Sequence, residues 1–424
     1  MPSNADPSGG RVAFTHPGFV LFQVARFLIV AAVEMQAVAV GWQVYEITKR
    51  PLDLGYVGLA QFLPAILLFP ISGHTSDRFE RRHVLSACYA GYGVCFALLL
   101  LLTMRAPSIQ LIYVVLVLIG IVRSFNSTAS RAILPQLVPQ EHFPNAVAWN
   151  ASIFQAATIL GPSFGGIVYA AFHGPETVYA IAMVTAIGAT ISSFRIRPEV
   201  KPRPREPMSL KTVFAGLHYI WNKKLILGAI SLDLFAVLLG GAVALLPVYA
   251  REILHTGPWG LGLLRTAPGV GAAVMAVFLA HWPMRGKSGP TLLWAVAGFG
   301  VFTIIFGISR SMTLSLISLF LLGASDMISV IIRATLTQLA TPDEMRGRVT
   351  AVDMIFIGTS NEFGQFESGV TAQWFGTVPA VVLGGIGTLV VIVLWAWWFP
   401  ELRNAGPLHT IATGVETAVT ADPA

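Results

Sequence analysis

Ten ionisable residues interrupt the apolar runs of this chain: Arg26, Glu34, Arg123, Asp233, Arg265, Asp326, Arg333, Asp353, Glu362 and Glu367. Inside a bilayer, each Arg or Asp turned toward lipid costs about 2.5–3.5 kcal/mol on insertion scales. Ten such penalties cannot be carried together, so most of these groups must face an interior, pair, or snorkel to an interface. The chemistry open to them is protonation, and each is a functional candidate by default. Glu34 lies about sixteen residues into the first run. A carboxyl taken out of water at that depth is able to load and release a proton near neutral pH. A structural hydrogen bond is the alternative. Arg26 is closer to the start of its run, where snorkelling is expected. Asp233 has no partner readable from its neighbours in sequence. Residues 359–369 hold Asn361, Glu362, Gln365 and Glu367, and all but Phe363 and Phe366 are polar or Gly. A lipid-facing helix could not sustain such a segment, so it is expected to line a cavity, with a close-packed helix interface as the alternative. Asp353 and Glu362 are nine apart and on opposite helical faces; Asp353 and Glu367, fourteen apart, share one.

These residues need elements to hold them, and the composition says which kind. Of 424 residues 55% are hydrophobic and 11% charged, less than half the roughly 25% charge of a soluble domain. Mean hydropathy is +0.70. Such figures exclude a soluble enzyme, a disordered chain and a disulfide scaffold. Cys88 and Cys95 share one apolar run, and the nine His are scattered without ligand spacing. No metal site or catalytic pairing can be built from them. The chain reads as an all-α polytopic membrane protein.

Crossing about 30 Å of hydrocarbon takes about 20 apolar residues. Twelve runs qualify: 18–46, 54–76, 83–104, 108–132, 145–172, 176–195, 224–249, 259–281, 289–309, 312–336, 349–375 and 378–399. With the N-terminus inside, eighteen Lys and Arg fall in cytoplasmic segments and five outside, which fixes both termini in the cytoplasm. The net charge of +6 is thus a matter of membrane orientation, and no basic stripe suits nucleic acid. Residues 1–17 and 402–424 read as disordered cytoplasmic tails. Residues 196–223, rich in charge and Pro, read as a cytoplasmic linker between bundles 18–195 and 224–401.

The two halves repeat. Arg131, Ala132, Leu134, Gln136 and Leu137 match Arg333, Ala334, Leu336, Gln338 and Leu339 at an offset of 202. Gly161, Gly166 and Phe172 match Gly364, Gly369 and Phe375 at 203. A shared offset of half the chain points to duplication: two pseudo-symmetric six-helix bundles around a central cavity, the architecture of alternating access. In this register Arg123 and Asp326 are equivalent and of opposite charge, so a pair or relay across the cavity is expected. A within-helix pair of Asp326 with Arg333, seven residues on, competes with it.

After the second run come Gly73, Asp77, Arg78, Arg81 and Arg82, in the spacing G-x-x-x-D-R-x-x-R-R. Gly73 would let a helix approach closely, and Asp77 would latch a cytoplasmic gate by pairing in one state and releasing in the other. This spacing resembles the signature loop of the major facilitator superfamily of secondary transporters. Gly161, Pro162, Gly165 and Gly166 are similar to the glycine-proline motif of its antiporter members, where Pro bends the helix and the glycines admit a neighbour. The segment from Arg131 to Pro139, then Asn145, and Arg346 to Val349 extend the resemblance to the enterobactin-exporter-like and macrolide-efflux-like branch, over most of residues 15–403. One departure is Ser127, which stands four residues after Arg123 where the drug-antiporter signature has Gly.

The resemblance implies a proton-coupled exporter, an antiporter of a small amphiphile such as a siderophore or drug, in the cell (inner) membrane. Its expected partners are that solute, protons and the lipid bilayer; it needs no cofactor and acts as a monomer. Glu34 and an acid of the eleventh run would exchange proton for substrate. No P-loop is present for an ATP-driven pump. Proton symport and lysophospholipid flipping are the alternatives within transport. An intramembrane enzyme or a sensor, which would tolerate loss of Glu34 and Asp77 together, stand further off.

Overall fold

The computed structural model describes residues 9–105, 108–198, 210–282, 284 and 286–407. Their regular structure is helical throughout. The first half carries a 3-10 segment (Gly9–Thr15), α1 (Pro17–Thr48), α2 (Pro51–Leu67), α3 (Phe69–Arg78), α4 (Arg81–Arg105), α5 (Ile109–Ile133), α6 (Phe143–Phe172) and α7 (Glu176–Phe194). The second half carries α8 (Leu210–Asn222), α9 (Lys224–Gly240), the short α10 (Leu246–Val248), α11 (Gly257–His281), α12 (Ser288–Ile308), α13 (Met312–Leu339), α14 (Asp343–Phe375), α15 (Thr377–Trp398) and α16 (Pro400–Arg403).

Ten helical spans among the described residues are long and apolar enough to cross a membrane. The second run is divided, because Pro64 lies inside α2 and the helix breaks at Leu68 before α3. The eleventh run, α14, is 33 residues long, but too polar to count by hydropathy. With these two the architecture has twelve spans. Apolar side chains cover the outer faces, Trp294, Val393 and Phe164 among them. Trp221, Trp282, Trp374, Trp397 and Trp398 sit exposed near helix ends, where indole rings favour the membrane–water boundary.

The chain forms two compact units. The first comprises Met1–Thr48, Ala60–Met208 and Gly257–Gly262; the second, Lys49–Leu59, Ser209–Thr256 and Leu263–Ala424. In the first, α1 packs on α6 and α7, while α4 packs on α5 and α7. In the second, α12 packs on α13 and α15, and α9 on α14 and α15. The two arrangements echo each other, as a duplicated sequence requires.

The segments read as tails and linker are partly ordered. Gly10 accepts hydrogen bonds from Trp149 Nε1 at 2.8 Å and Asn145 Nδ2 at 3.0 Å, which ties the 3-10 segment to α6. At the other end Leu402 is 1% exposed and Ser288 N donates to Gly406 O at 3.0 Å. Within the expected linker, α8 docks on α14: Ile220 is fully buried and Tyr219 donates to Ala340 O at 3.2 Å. Residues 199–209 and 408–424 lie outside the described residues.

Candidate functional site

In the second unit, three helices bring a charge cluster together. Asp233 is the tenth residue of α9, Arg333 the seventh from the end of α13, and Asp353 the eleventh of α14. At 1.5 Å per residue these positions sit at matching depth from their helix ends. Arg333 Nη1 donates to Asp353 Oδ1 at 2.7 Å, and Nη2 lies 3.1 Å from Asp233 Oδ2. Arg333 is 4% exposed and Asp233 7%, so the pairs stand in low dielectric. There the planar fork of the guanidinium serves two carboxylates at once. Its Nε stays buried and unbonded. Asp326, two turns earlier on α13, makes no hydrogen bond or ion pair among the described residues, yet lies within electrostatic reach of both Asp233 and Arg333. No direct ion pair joins Asp326 to Arg333, whose guanidinium is held by α9 and α14. Two carboxylates therefore hold the arginine, and a third, Asp326, stands near it without pairing.

The polar run of α14 is bonded largely within its own unit. Glu362, 8% exposed, accepts from Gln365 Nε2 at 3.2 Å, and Glu367 accepts from Thr371 at 2.6 Å. Ser368 donates to Gly241 O at 2.8 Å, where α9 ends. A Cβ on Gly364 would stand 3.0 Å from the Val237 and Leu238 carbonyls. Close packing thus accounts for Gly364 and Ser368. Asn361 is exposed and bonds back to Ile357 O.

In the first unit, Glu34 lies where α1 meets α6. A Cβ on Gly161 would stand 2.6 Å from the Glu34 Cβ, and one on Gly165 would stand 2.8 Å from the Met35 Cα. Gly166 faces Pro258 and Gly262 of the same unit. Pro162 is buried inside α6. Arg26 stacks its guanidinium 5.2 Å over the Phe154 ring with Nε buried, in place of the expected snorkel. Arg123 belongs to the first unit and Asp326 to the second.

The signature loop closes α3 and opens α4. Arg81 Nη1 donates to Ala132 O at 2.9 Å, capping the carbonyl end of α5, where a cation is favoured. Arg82 Nε stands 2.6 Å from Glu80 without hydrogen-bond alignment, and its Nη1 reaches Ile196 O at 3.4 Å. Arg78 is exposed. Gly73 does not make the close helix approach expected of it: a Cβ there would meet nothing within 4 Å among the described residues. The Asp77 side chain lies outside the described residues. No group of three or more His, Cys, Asp or Glu among the described residues is placed to hold a metal.

Arg333 is the residue that reading by sequence left outside the candidate site, although the repeat singled it out. Counting from helix ends was the available signal, since Asp233, Arg333 and Asp353 all fall within about three turns of one.

The Major Facilitator Superfamily model matches residues 22–364. The enterobactin exporter EntS of Citrobacter koseri is 28% identical over 403 residues, spanning 92% of this chain and 94% of that protein. EntS of Escherichia coli (strain K12) is 27% identical with the same coverage. Among solved structures, a D-xylose-proton symporter superposes with TM-score 0.71 at 13% identity, covering 91% of this chain and 98% of its own. A bacterial homolog of the human lysosomal transporter Spinster, inward-facing and unoccupied, gives 0.69 at 14% identity, covering 92% and 98%. These structural likenesses bear on the fold alone. With a family model covering most of its length, its architecture repeated in two units and its spans in place, this chain belongs to the Major Facilitator Superfamily.

Proposed function

We propose that this transporter exports a small amphiphilic molecule, of the siderophore or drug class, in exchange for protons, from the cell (inner) membrane with both termini in the cytoplasm. The observation that carries the reading is the excess of carboxylate over cation around the buried Arg333. Coupling needs a site whose charge can change at modest cost, and a carboxylate beyond those the arginine holds is such a site. Asp326 takes the proton. Arg333 then redistributes between Asp233 and Asp353, which sit on different helices, so protonation alters how α9, α13 and α14 are tied. A two-state element of this kind is what a switch requires. Glu34, packed against the glycine motif of α6, is a second proton or substrate contact, and the signature loop with Asp77 latches the cytoplasmic side. Glu362, Gln365 and Glu367 contribute to the pathway by their remaining hydrogen-bonding capacity. Direction rests on the EntS relatives, exporters by name.

The test is proton flux in everted vesicles with an acid interior. A catecholate siderophore, a macrolide and a cationic dye are added in turn to vesicles holding wild type, Asp326→Asn or Glu34→Gln. One compound is expected to collapse the gradient in wild type and not in Asp326→Asn. Collapse by none, with folded protein in the membrane, overturns proton antiport of these classes. Flux only under the reverse gradient makes symport the reading.

A further inference from the structure

The duplication places the same scaffold twice, and the charges at several corresponding positions differ. At the offset of 203, Asp326 corresponds to Arg123 and Asp353 to Asn150, and Asp233 corresponds to Val30; at 202, Arg333 corresponds to Arg131. The second unit supplies carboxylates to its arginine. At the corresponding positions the first unit supplies none.

The consequence is visible around Arg26. Its guanidinium stacks on Phe154, and Tyr89 and Arg131 are close enough to act on it electrostatically. Among the described residues no carboxylate lies within ion-pair distance of it. One turn earlier on α1, Gln23 is 2% exposed, with both its amide nitrogen and oxygen unbonded. One turn before Phe154 on α6, Asn150 Oδ1 is likewise buried and unbonded. α1 and α6 run parallel, since Ala13 bonds Asn145 near their beginnings and Met35 meets Gly165 further on. The register that sets Phe154 against Arg26 therefore carries Asn150 to the level of Gln23. Buried polar groups are ordinarily satisfied, and an arginine that is partly buried gains from an anion beside it. Here a cation, an unbonded amide donor and two unbonded amide acceptors fall within about one turn of the Arg26–Phe154 contact on α1 and α6.

Resting on the exporter reading, we propose that the Arg26 cluster of the first unit binds the anionic end of the transported molecule, an oxyanion with a hydroxyl or N–H beside it. The oxyanion meets Arg26 and the Gln23 amide, and the neighbouring donor meets Asn150 Oδ1. The cargo is thus an organic acid, read by the Arg26 cluster, while its protons are handled by the Asp326 cluster. A lipid headgroup offers the same anionic chemistry, and the test separates the two.

The experiment is equilibrium binding of radiolabelled salicylate, a small hydroxy-acid with this donor arrangement, to the full chain in phosphatidylcholine nanodiscs. Unlabelled salicylate is expected to compete at least about tenfold better than neutral salicylamide, as loss of a charged hydrogen bond predicts. Arg26→Gln should weaken binding by about tenfold or more, while Arg26→Lys retains most of it. Should Arg26→Gln fail to fold, Asn150→Asp leaves Arg26 in place and sets a negative charge beside it, which should weaken binding to the same degree. Binding is read at equilibrium with no pH gradient, so it is scored apart from proton coupling and the two readings fail separately. Equal competition by salicylamide, or binding unchanged in both Arg26→Gln and Asn150→Asp, overturns the proposal. Displacement of salicylate by phosphatidylglycerol discs also overturns it, by assigning the anion to lipid.

Discussion

At the residue scale, Arg333 joins α9, α13 and α14 by two buried ion pairs. Removing one partner of such a pair leaves charge in low dielectric and costs about 3–5 kcal/mol. Arg333→Gln should therefore lower thermal stability markedly in detergent or nanodiscs, whereas Arg333→Lys, which keeps the charge and loses the fork, should fall between it and wild type. Equal melting temperatures for all three would show that the cluster does not hold the unit together. Depth in the membrane was legible for every one of these charges. Partnership was not, because the Asp that meets Arg333 from α9 lies a hundred residues away. Spacing along one helix suggested Asp326 instead, and only the packing of three helices decides which carboxylate the guanidinium reaches.

Elements tell a similar story of local signals and tertiary outcomes. The glycine-proline motif of α6 was readable, and Gly161 and Gly165 are places where α1 passes too closely for a side chain. Gly161→Ala and Gly165→Ala force the helices apart and should each cost about 1–3 kcal/mol. Gly358→Ala, with nothing within 4 Å of its added methyl, should be neutral or gain up to about 1 kcal/mol of helix propensity. Denaturation of the three variants side by side checks the contrast, and equal losses would refute it. Gly73 shows the limit of such reading: the spacing suggested close approach, and among the described residues nothing lies within 4 Å of a Cβ placed there, although α3 packs on α5 through its other residues. Proline and charge marked 196–223 as a tether, yet Leu217 and Ile220 form an apolar face that α14 covers. Polarity made α14 look like a channel wall, and much of that polarity is spent on Ser368, Glu367 and Glu362 bonds inside one unit.

Over the whole molecule, duplication explains why the fold was largely readable: hydropathy marks the spans and the offset near 203 pairs the halves. The eighteen-to-five asymmetry of basic residues predicts cytoplasmic termini. A fluorescent protein fused to either terminus should fluoresce in cells, while alkaline phosphatase fused there should be inactive; the reverse result would invert the topology. Charge is only partly preserved by the duplication: Arg131 and Arg333 correspond, whereas Asp326 falls at the position of Arg123 and Asp353 at that of Asn150. The most direct test of the account uses purified protein in liposomes with an acid interior, offered the compound that the vesicle assay identifies. Wild type is predicted to concentrate that compound inside against its own gradient, and Asp326→Asn to exchange it across the membrane without concentrating it. Accumulation by Asp326→Asn equal to wild type, or accumulation by wild type with no pH difference, would contradict it.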